Sequence, residues 1–469
     1  MFLLFRLVAL LLAAISAAPA TRAATATPTP TAPAAKPNVI VILADDLGWA
    51  DLGHDGSKID TPHLDRLAKE GVKLTHYRSN GSMCSPARAA LMTGRYPHSV
   101  GVPELASPNA RGAVPILALD HAAITLPEAL KSAGYRSTLV GKWHLGYYKE
   151  NWPRRHGFDE FWGSLVGTPM YWEIKETYHN ETAINVTGQG YYTQQLAAKA
   201  VEYLRRDAAS GQPFFHYLAF NAPHYPLEAP AELVSKYRRR FLDRGLFALY
   251  AAMVEQLDTA VGRVLATLDE LKLADNTLIV FTSDNGPSAE PQHYGPEGAD
   301  HSNGPHYGYK FSMTDGGLRV PFLVRWPARL PAGAVRDGAA ATMDIMPTVL
   351  EAAGVAPAPG HELHGQSLLA HLRGAPFVRP AALHWENQQN LGVLAGDWKL
   401  VHRFWEKEPR LFRLTEDPGE KTNLAARHPD KVAELLALHA AWKTRHYPNP
   451  VKPMTTRPPI QFPTNPQDP

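Results

Sequence analysis

Four apolar runs of strand length each end in a polar cluster. Residues 38–44 (NVIVILA) run into Asp45-Asp46-Leu47-Gly48, and residues 136–140 into Gly141-Lys142-Trp143-His144. Residues 214–220 run into Asn221-Ala222-Pro223-His224, and residues 277–282 (TLIVFT) lead to Asp284-Asn285-Gly286. Unbroken apolar runs of this length suit strands covered on both faces. Segments with helical punctuation lie between them. Thr61-Pro62 starts one that stops at Gly71, and Thr125-Leu126-Pro127-Glu128 has the spacing of a capping box before a helix ending at Gly134. Residues 246–273 are long and amphipathic, with Gly262 inside. Strands alternating with helices predict an α/β fold with a largely parallel sheet layered by helices. In such sheets ligands sit beyond the carboxyl ends of the strands, so four polar clusters from distant parts of the chain are expected on one edge.

Past about residue 370 the pattern changes. Residues 382–386, 391–395, 399–404 and 411–414 are short, closely spaced runs that predict a small antiparallel sheet, followed by a helix over 429–445. The expected division is a catalytic α/β domain at 38–370, a small α+β domain at 371–447, and an extended Pro-rich tail at 448–469. Residues 1–23 read as a secretory signal, with Arg6 ahead of the apolar run 7–15 and small residues where a peptidase would cut. Residues 24–37, rich in Ala, Thr and Pro, read as a tether. No later run reaches transmembrane length, and no cysteine directly follows the signal to carry a lipid anchor. A soluble, exported protein without a membrane anchor is expected, periplasmic or secreted. The triplets at Asn180 and Asn185 leave a eukaryotic secretory route open.

Charge narrows the partners. The chain has 47 basic and 45 acidic residues; without Arg6 and Arg22 of the signal the count is 45 against 45. Such balance gives no support to nucleic-acid or polybasic membrane binding. An anionic substrate would have to be held by a local cluster.

Cys84 is the only cysteine. It can make neither an internal disulfide nor a multi-thiolate metal site, and an oxidising compartment makes a lone thiol a liability. That points to chemistry, against the alternative of a buried thiol acting as a small apolar side chain. Ser85-Pro86 has the form of a helix start with Gly94 near its end, which puts residue 84 at a helix N-terminus that favours an anion. Arg88, one turn on, could reach back beside it. Asp45, Asp46, Asp284 and Asn285 offer hard oxygen ligands suited to Ca²⁺ or Mg²⁺ and unsuited to zinc, although caps and tight turns also use such residues. Lys142 and His144 alternate on one extended segment, so both side chains can point the same way. His224 lies just past another strand, and Lys310 completes the set of basic candidates.

These pieces occur in a particular order: D-D-L-G at 45–48, C-S-P-A-R with T-G-R at 84–95, G-K-W-H-L-G at 141–146 and N-A-P-H at 221–224. D-N-G at 284–286 follows, then Lys310 ahead of G-G-L-R-V-P at 316–321, and L-F-R-L-T-E-D-P-G-E-K-T-N-L at 411–424. Together they resemble the formylglycine-dependent, arylsulfatase-like (type I) sulfatases over roughly residues 37–425. The resemblance implies an alkaline-phosphatase-like α/β domain with a smaller antiparallel C-terminal domain. It implies that a maturation enzyme oxidises Cys84 to formylglycine, and that Asp45, Asp46, Asp284 and Asn285, with residue 84, hold Ca²⁺ in preference to Mg²⁺. Arg88, Lys142, His144, His224 and Lys310 would line the sulfate pocket. Residue 84 would be the nucleophile toward a sulfate monoester, His224 with Lys310 would protonate the departing oxygen, and His144 would take the proton that frees sulfate. Departures are slight: Ala87 stands where serine is common, and Asp315 where glutamate is frequent.

The substrate reading is coarser. Residues 147–190 and 287–309 are rich in Trp, Tyr and His, which can stack on sugar rings, so a sulfated carbohydrate or an aryl sulfate is expected. The rival is a phosphate or phosphonate monoester hydrolase on the same scaffold, disfavoured because one metal with Lys142 and Lys310 suits the less charged sulfate. A non-catalytic carbohydrate-binding relic would have lost a core group, and none is missing.

Overall fold

The computed structural model describes residues 36–107, 117–242, 245–288, 302–387 and 389–447. The expected signal, nearly all of the tether, the tail and part of the 287–309 loop lie outside them. Ten strands form the main sheet: β1 (Asn38–Ala44), β2 (Val72–Leu74), β3 (Arg136–Lys142), β4 (Glu160–Ser164), β5 (Thr177–His179), β6 (Thr182–Ile184), β7 (Phe214–Ala219), β8 (Thr277–Ser283), β9 (Phe322–Arg325) and β10 (Ala334–Arg336). Their order is β10-β2-β9-β8-β1-β7-β3-β4-β5-β6. The five central strands, β8-β1-β7-β3-β4, are all parallel. Antiparallel pairs appear only toward the margins, where β9 meets β8 and β2, and where β5 meets β4 and β6. This is the expected fold class, and the four apolar runs are its central strands.

The sheet is covered on both faces, which explains why its central strands β1 and β8 are almost wholly apolar. Alternate residues of β1 enter two separate cores. Val39, Val41 and Leu43 pack with α2 (Cys84–Thr93), reached past α1 (Pro62–Glu70), and with α3 (Leu126–Lys131). Ile40, Ile42 and Ala44 pack with α1, α4 (Tyr192–Ser210), α5 (Ala231–Arg240) and α6 (Gly245–Glu270). Fully burying one such aliphatic side chain contributes about 1.5–3 kcal/mol. The Thr125–Glu128 capping box forms as expected: Glu128 N–H donates to Thr125 Oγ1 at 3.4 Å and Thr125 N–H to Glu128 Oε2 at 2.8 Å. Helix α1 is capped differently. Thr61 gives its amides no side-chain hydrogen bond; Asp258 of α6 accepts from Leu64 N at 2.7 Å and His63 N at 3.0 Å.

The second sheet is an antiparallel meander, β11 (Leu383–Glu386), β12 (Asn390–Ala395), β13 (Trp398–Arg403) and β14 (Arg410–Arg413). A helix, Pro429–His446, follows it. That helix and β11 pack against the segment after α2 through a cluster of rings. His98 Nε2 donates to Glu386 O at 3.0 Å, and Glu386 Oε2 accepts from His439 Nε2 at 2.8 Å. The Trp442 ring lies 5.0 Å from His98 and 5.2 Å from His384, and His364 lies 4.3 Å from His446. Burial, aided by neighbouring cations, pushes His98 and His446 down to about 4, and His364 and His384 to about 3. The charged neighbours are Lys443, Arg445 and Arg95 on the cationic side, and Glu386 and Glu362 on the anionic side. A histidine held below its ordinary value stabilises the fold fully above pH about 6.5 and progressively less as pH falls toward its folded value. Hydrogen-exchange protection of the Pro429–His446 helix is therefore expected to fall between pH 7 and pH 5, after correction for intrinsic exchange. Constant protection across that range would contradict the assignment of neutral buried rings.

Candidate active site

Strand register builds the site. Pairing of β1 with β8 sets Ala44 beside Ser283, so Asp45 and Asp284 leave neighbouring strands at the same edge. Asp284 N donates to Ala44 O at 3.1 Å, and Asp45 N donates to Ala222 O at 3.2 Å just past β7. The parallel β3–β7 pair brings Lys142 to the same edge. Helix α2 starts at Cys84, and no side chain caps its first amides. Gly94 in the left-handed region ends this helix, as its position predicts.

Four groups come close enough to share one ion: ligand atoms of Asp45, Asp46, Cys84 and His224 lie within 4.8 Å of one another. Cys84 Sγ is 3.4 Å from Asp45 Oδ1, and His224 Nε2 is 3.5 Å from Asp46 Oδ2. Asp284 and Asn285 join from behind. Asp284 Oδ1 accepts from Asp46 N at 3.2 Å, and Asn285 Nδ2 donates to Asp46 Oδ1 at 2.7 Å. Asp284 turns its other oxygen to Arg88, whose Nη2 donates to Oδ2 at 2.7 Å. The expected ligands are three aspartates, an asparagine and residue 84; the compact group holds Asp45, Asp46 and Cys84 of these together with His224, while Asp284 is engaged by Arg88.

Positive charge threads the same volume. Lys142 Nζ donates to Asp45 Oδ2 at 2.5 Å, Lys310 Nζ to Asp46 Oδ2 at 2.8 Å, and Arg88 Nη1 to Lys142 O at 3.0 Å. Burial alone would raise the Asp45 carboxyl, but Lys142, His224 and Arg88 outweigh it and hold it at about 2. Asp46 is likewise lowered, with Lys310 and His224 overcoming its burial. Asp284 is raised, by burial and by Asp45 beside it. Burial pushes the Cys84 thiol up to about 12 despite the two lysines. The residues fit a hard dication: three carboxylates are 0–1 % exposed, and Asn285 Oδ1 is a buried acceptor with no partner among the described residues.

His144 departs from its expected geometry. Lys142 ends β3, and His144 sits in the left-handed region at φ 56°, so the two do not alternate on one extended segment. Asp46 shares that conformation at φ 65°. Non-glycine residues are held there only when their surroundings fix them, and such residues cluster at functional sites. Here Ser85 Oγ donates to His144 O at 2.8 Å, and the His144 ring lies against Gly167, where a Cβ would meet it at 2.5 Å. Burial, then Lys142 and Arg88, drive the His144 ring well below its ordinary value, and its Nδ1 is buried without a partner among the described residues. Gly286 answers a different need: a Cβ there would lie 1.9 Å from Gly316 O.

The Sulfatase family profile matches residues 37–355, and the profile described as N-sulphoglucosamine sulphohydrolase, C-terminal, matches residues 306–439. This chain belongs to the sulfatase family. Sulfatases are sulfuric ester hydrolases. The chain is 34 % identical to N-acetylgalactosamine-6-sulfatase of Canis lupus familiaris over 426 residues, 86 % of this chain and 79 % of that protein. It is 32 % identical to steryl-sulfatase of Mus musculus, covering 94 % of this chain and 88 % of that one. Ps i-CgsB, solved in complex with k-i-k-neocarrahexaose, matches with a TM-score of 0.79 at 30 % identity, over 88 % of this chain and 94 % of that one. A phosphonate monoester hydrolase of Agrobacterium radiobacter shares the fold at 22 % identity and TM-score 0.61, over 87 % of this chain and 96 % of that one.

Several residues that shape this sulfatase site escaped sequence reasoning. Tyr171 Oη hydrogen-bonds Asn221 O at 2.7 Å and His224 O at 2.8 Å from a distant loop. Asn221 is buried with both amide atoms unpartnered among the described residues; its place at the end of β7 in N-A-P-H was the available signal. Asp315, noted only as a departure, sits in a buried ion network with Arg78, Lys399 and Glu420, and its turn backs Gly286. The thiol's burial and raised value carry a direct consequence. In folded protein with Cys84 unconverted, alkylation by iodoacetamide at pH 8 should run orders of magnitude slower than for a free thiol and become rapid in urea. Labelling of the folded chain at the free-thiol rate would contradict this.

Proposed function

We propose that this sulfatase removes sulfate from a sulfated carbohydrate, with residue 84 acting as formylglycine and a calcium ion beside it. The observation that carries the reading is the placement of Cys84 Sγ at a helix N-terminus, 3.4 Å from Asp45, inside a buried cluster of acids and bases. Asp45, Asp46, Asp284 and Asn285 would hold the ion. When present, the aldehyde hydrate supplies paired hydroxyls as nucleophile, and the ion supplies positive charge against sulfuryl oxygens.

The remaining work falls to side chains. Arg88 and Lys142 keep positive charge beside residue 84 in a site closed to water, where preorganised charge is most effective. His224 Nδ1 is 2.5 Å from Tyr225 O and so carries a proton there, leaving Nε2 to face the site. Burial and Lys310 hold the His224 ring below its ordinary value, so the imidazolium that would give a proton from Nε2 to the departing alcohol oxygen is its minor form at neutral pH. Lys310 is a second donor: burial lowers it, but Asp46 and its other anionic neighbours raise it well above its ordinary value and keep it an ammonium. General acid help is typically worth roughly 10²–10⁴-fold. His144, held neutral by burial and then by Lys142 and Arg88, would accept a proton in this reading.

The carbohydrate reading draws on relatives of at least 30 % identity: a sulfatase named for N-acetylgalactosamine 6-sulfate, and a solved complex with a neocarrahexaose. The phosphonate hydrolase is too distant to argue more than fold. Domains at 38–370 and 371–447, export to the periplasm or beyond, and oxidation of Cys84 by a maturation enzyme belong to the same proposal. With Cys84 1 % exposed, that enzyme would have to act before the chain closes over it. Among the described residues no helix is long and apolar enough to cross a membrane.

The test is turnover of a panel of position-defined sulfated saccharides, beside one aryl sulfate and its aryl phosphate. Active protein should prefer the sulfate esters, its Cys84 peptide should carry the mass of formylglycine, and Cys84→Ala should lose turnover at unchanged thermal stability. Near-normal turnover in Cys84→Ala, or preference for the phosphate, would overturn the proposal.

A further inference from the structure

We propose that Trp172 and Tyr225 form the wall against which the sugar ring bearing the departing oxygen stacks, and that Tyr171 positions this wall against His224. The proposal rests on the carbohydrate reading above, and on His224 as the group beside the leaving oxygen.

Exposed large aromatics lie close to the site residues along the chain. Tyr148, Trp172, Tyr225, Tyr307 and Tyr309 are each 42–48 % exposed. Tyr148 lies four residues after His144, Tyr225 directly follows His224, and Tyr307 and Tyr309 precede Lys310. Trp172 directly follows Tyr171, whose Oη bridges the carbonyls of Asn221 and His224. Water-exposed rings are suited to the apolar face of a sugar, whose hydroxyls remain free for other partners.

Two of these residues belong to segments tied directly to His224. The Tyr225 carbonyl holds His224 Nδ1 at 2.5 Å, so the placement of the acid and the course of the chain into Tyr225 are fixed together. Trp172 is held by Tyr191, with ring centroids 5.1 Å apart, and Tyr191 in turn stacks on Tyr171 at 5.2 Å and 15°. Glu228 fastens both: its Oε2 accepts from Tyr171 N at 3.0 Å and its carbonyl from Tyr191 Oη at 2.8 Å. Trp172 is thus a braced ring, half out in water, on a segment tied to the His224 backbone. A braced ring loses little entropy on binding, which favours it as a specificity contact.

The experiment uses the matured full chain and the sulfated saccharide that the wild type hydrolyses best. Trp172→Ala and Tyr225→Ala are expected to lower kcat/KM for that saccharide roughly tenfold each, about 1.4 kcal/mol, chiefly through KM. Inhibition by inorganic sulfate, which occupies the anion pocket alone, is expected to keep its Ki within about twofold. Trp172→Phe should recover most of the loss, because it restores a stacking face. Tyr171→Phe, losing only the bridging hydroxyl, should lower kcat more than it changes KM. Unchanged saccharide kinetics in both alanine variants would overturn the proposal, as would a sulfate Ki weakened in step with kcat/KM. A wild type that hydrolyses aryl sulfate and no saccharide would overturn the carbohydrate reading itself, and this inference with it.

Discussion

Asp45, Asp46 and Asp284 place three carboxylates in one volume closed to water, and that concentration of negative charge governs the structure around it. Two unit charges 4 Å apart repel by about 4 kcal/mol at an effective dielectric of 20, so such a group persists only if compensated. Arg88, Lys142 and Lys310 supply three positive charges from a helix, a strand and a loop widely separated in the chain. Each must arrive with its partner for the site to close. Removing Arg88 would leave the Asp284 carboxylate buried without its cationic partner, a loss of about 3–5 kcal/mol for a buried pair.

The parallel sheet makes that arrangement possible. Its register delivers the ends of β1, β3, β7 and β8 to a common edge, and helix α2 starts at the same place, with Cys84 Sγ 3.4 Å from Asp45 Oδ1. The cost of holding the groups there is visible in the backbone, where Asp46 and His144 occupy a conformation rarely adopted outside glycine. The second sheet is joined to this edge as well. Lys399 of β13 and Glu420 meet Asp315 in a buried network, and the Asp315 turn lies against Gly286 of the D-N-G segment. A small antiparallel sheet thereby helps fix the loop that carries Asp284 and Asn285.

Much of this was legible in the chain because it depends on local patterns. The runs before Asp45, Lys142, Asn221 and Asp284 are apolar on both faces, and a strand covered on both sides leaves that signature; the boundaries of β1 follow from it directly. The start of α2 at Cys84 and its end before Gly94 follow from Ser85-Pro86 and from the glycine. What stayed hidden depends on partners far away in sequence. Asp258 caps a helix nearly two hundred residues earlier, Tyr171 reaches the His224 backbone across a loop, and Asp315 finds Lys399 on another sheet. No spacing rule encodes such meetings. His144 shows the converse limit: alternation along a strand predicts a shared direction with Lys142, but the strand ends at Lys142, two residues before His144.

The central claim is that this carboxylate cluster, compensated by lysine and arginine, is built to take a hard dication beside residue 84. Isothermal titration of calcium into chelator-treated protein tests it most directly. The account predicts one binding event per chain, strongly weakened in Asp46→Asn and in Asn285→Ala, with magnesium binding more weakly. Absence of calcium binding to the folded wild type, or binding unaltered by both substitutions, would contradict it.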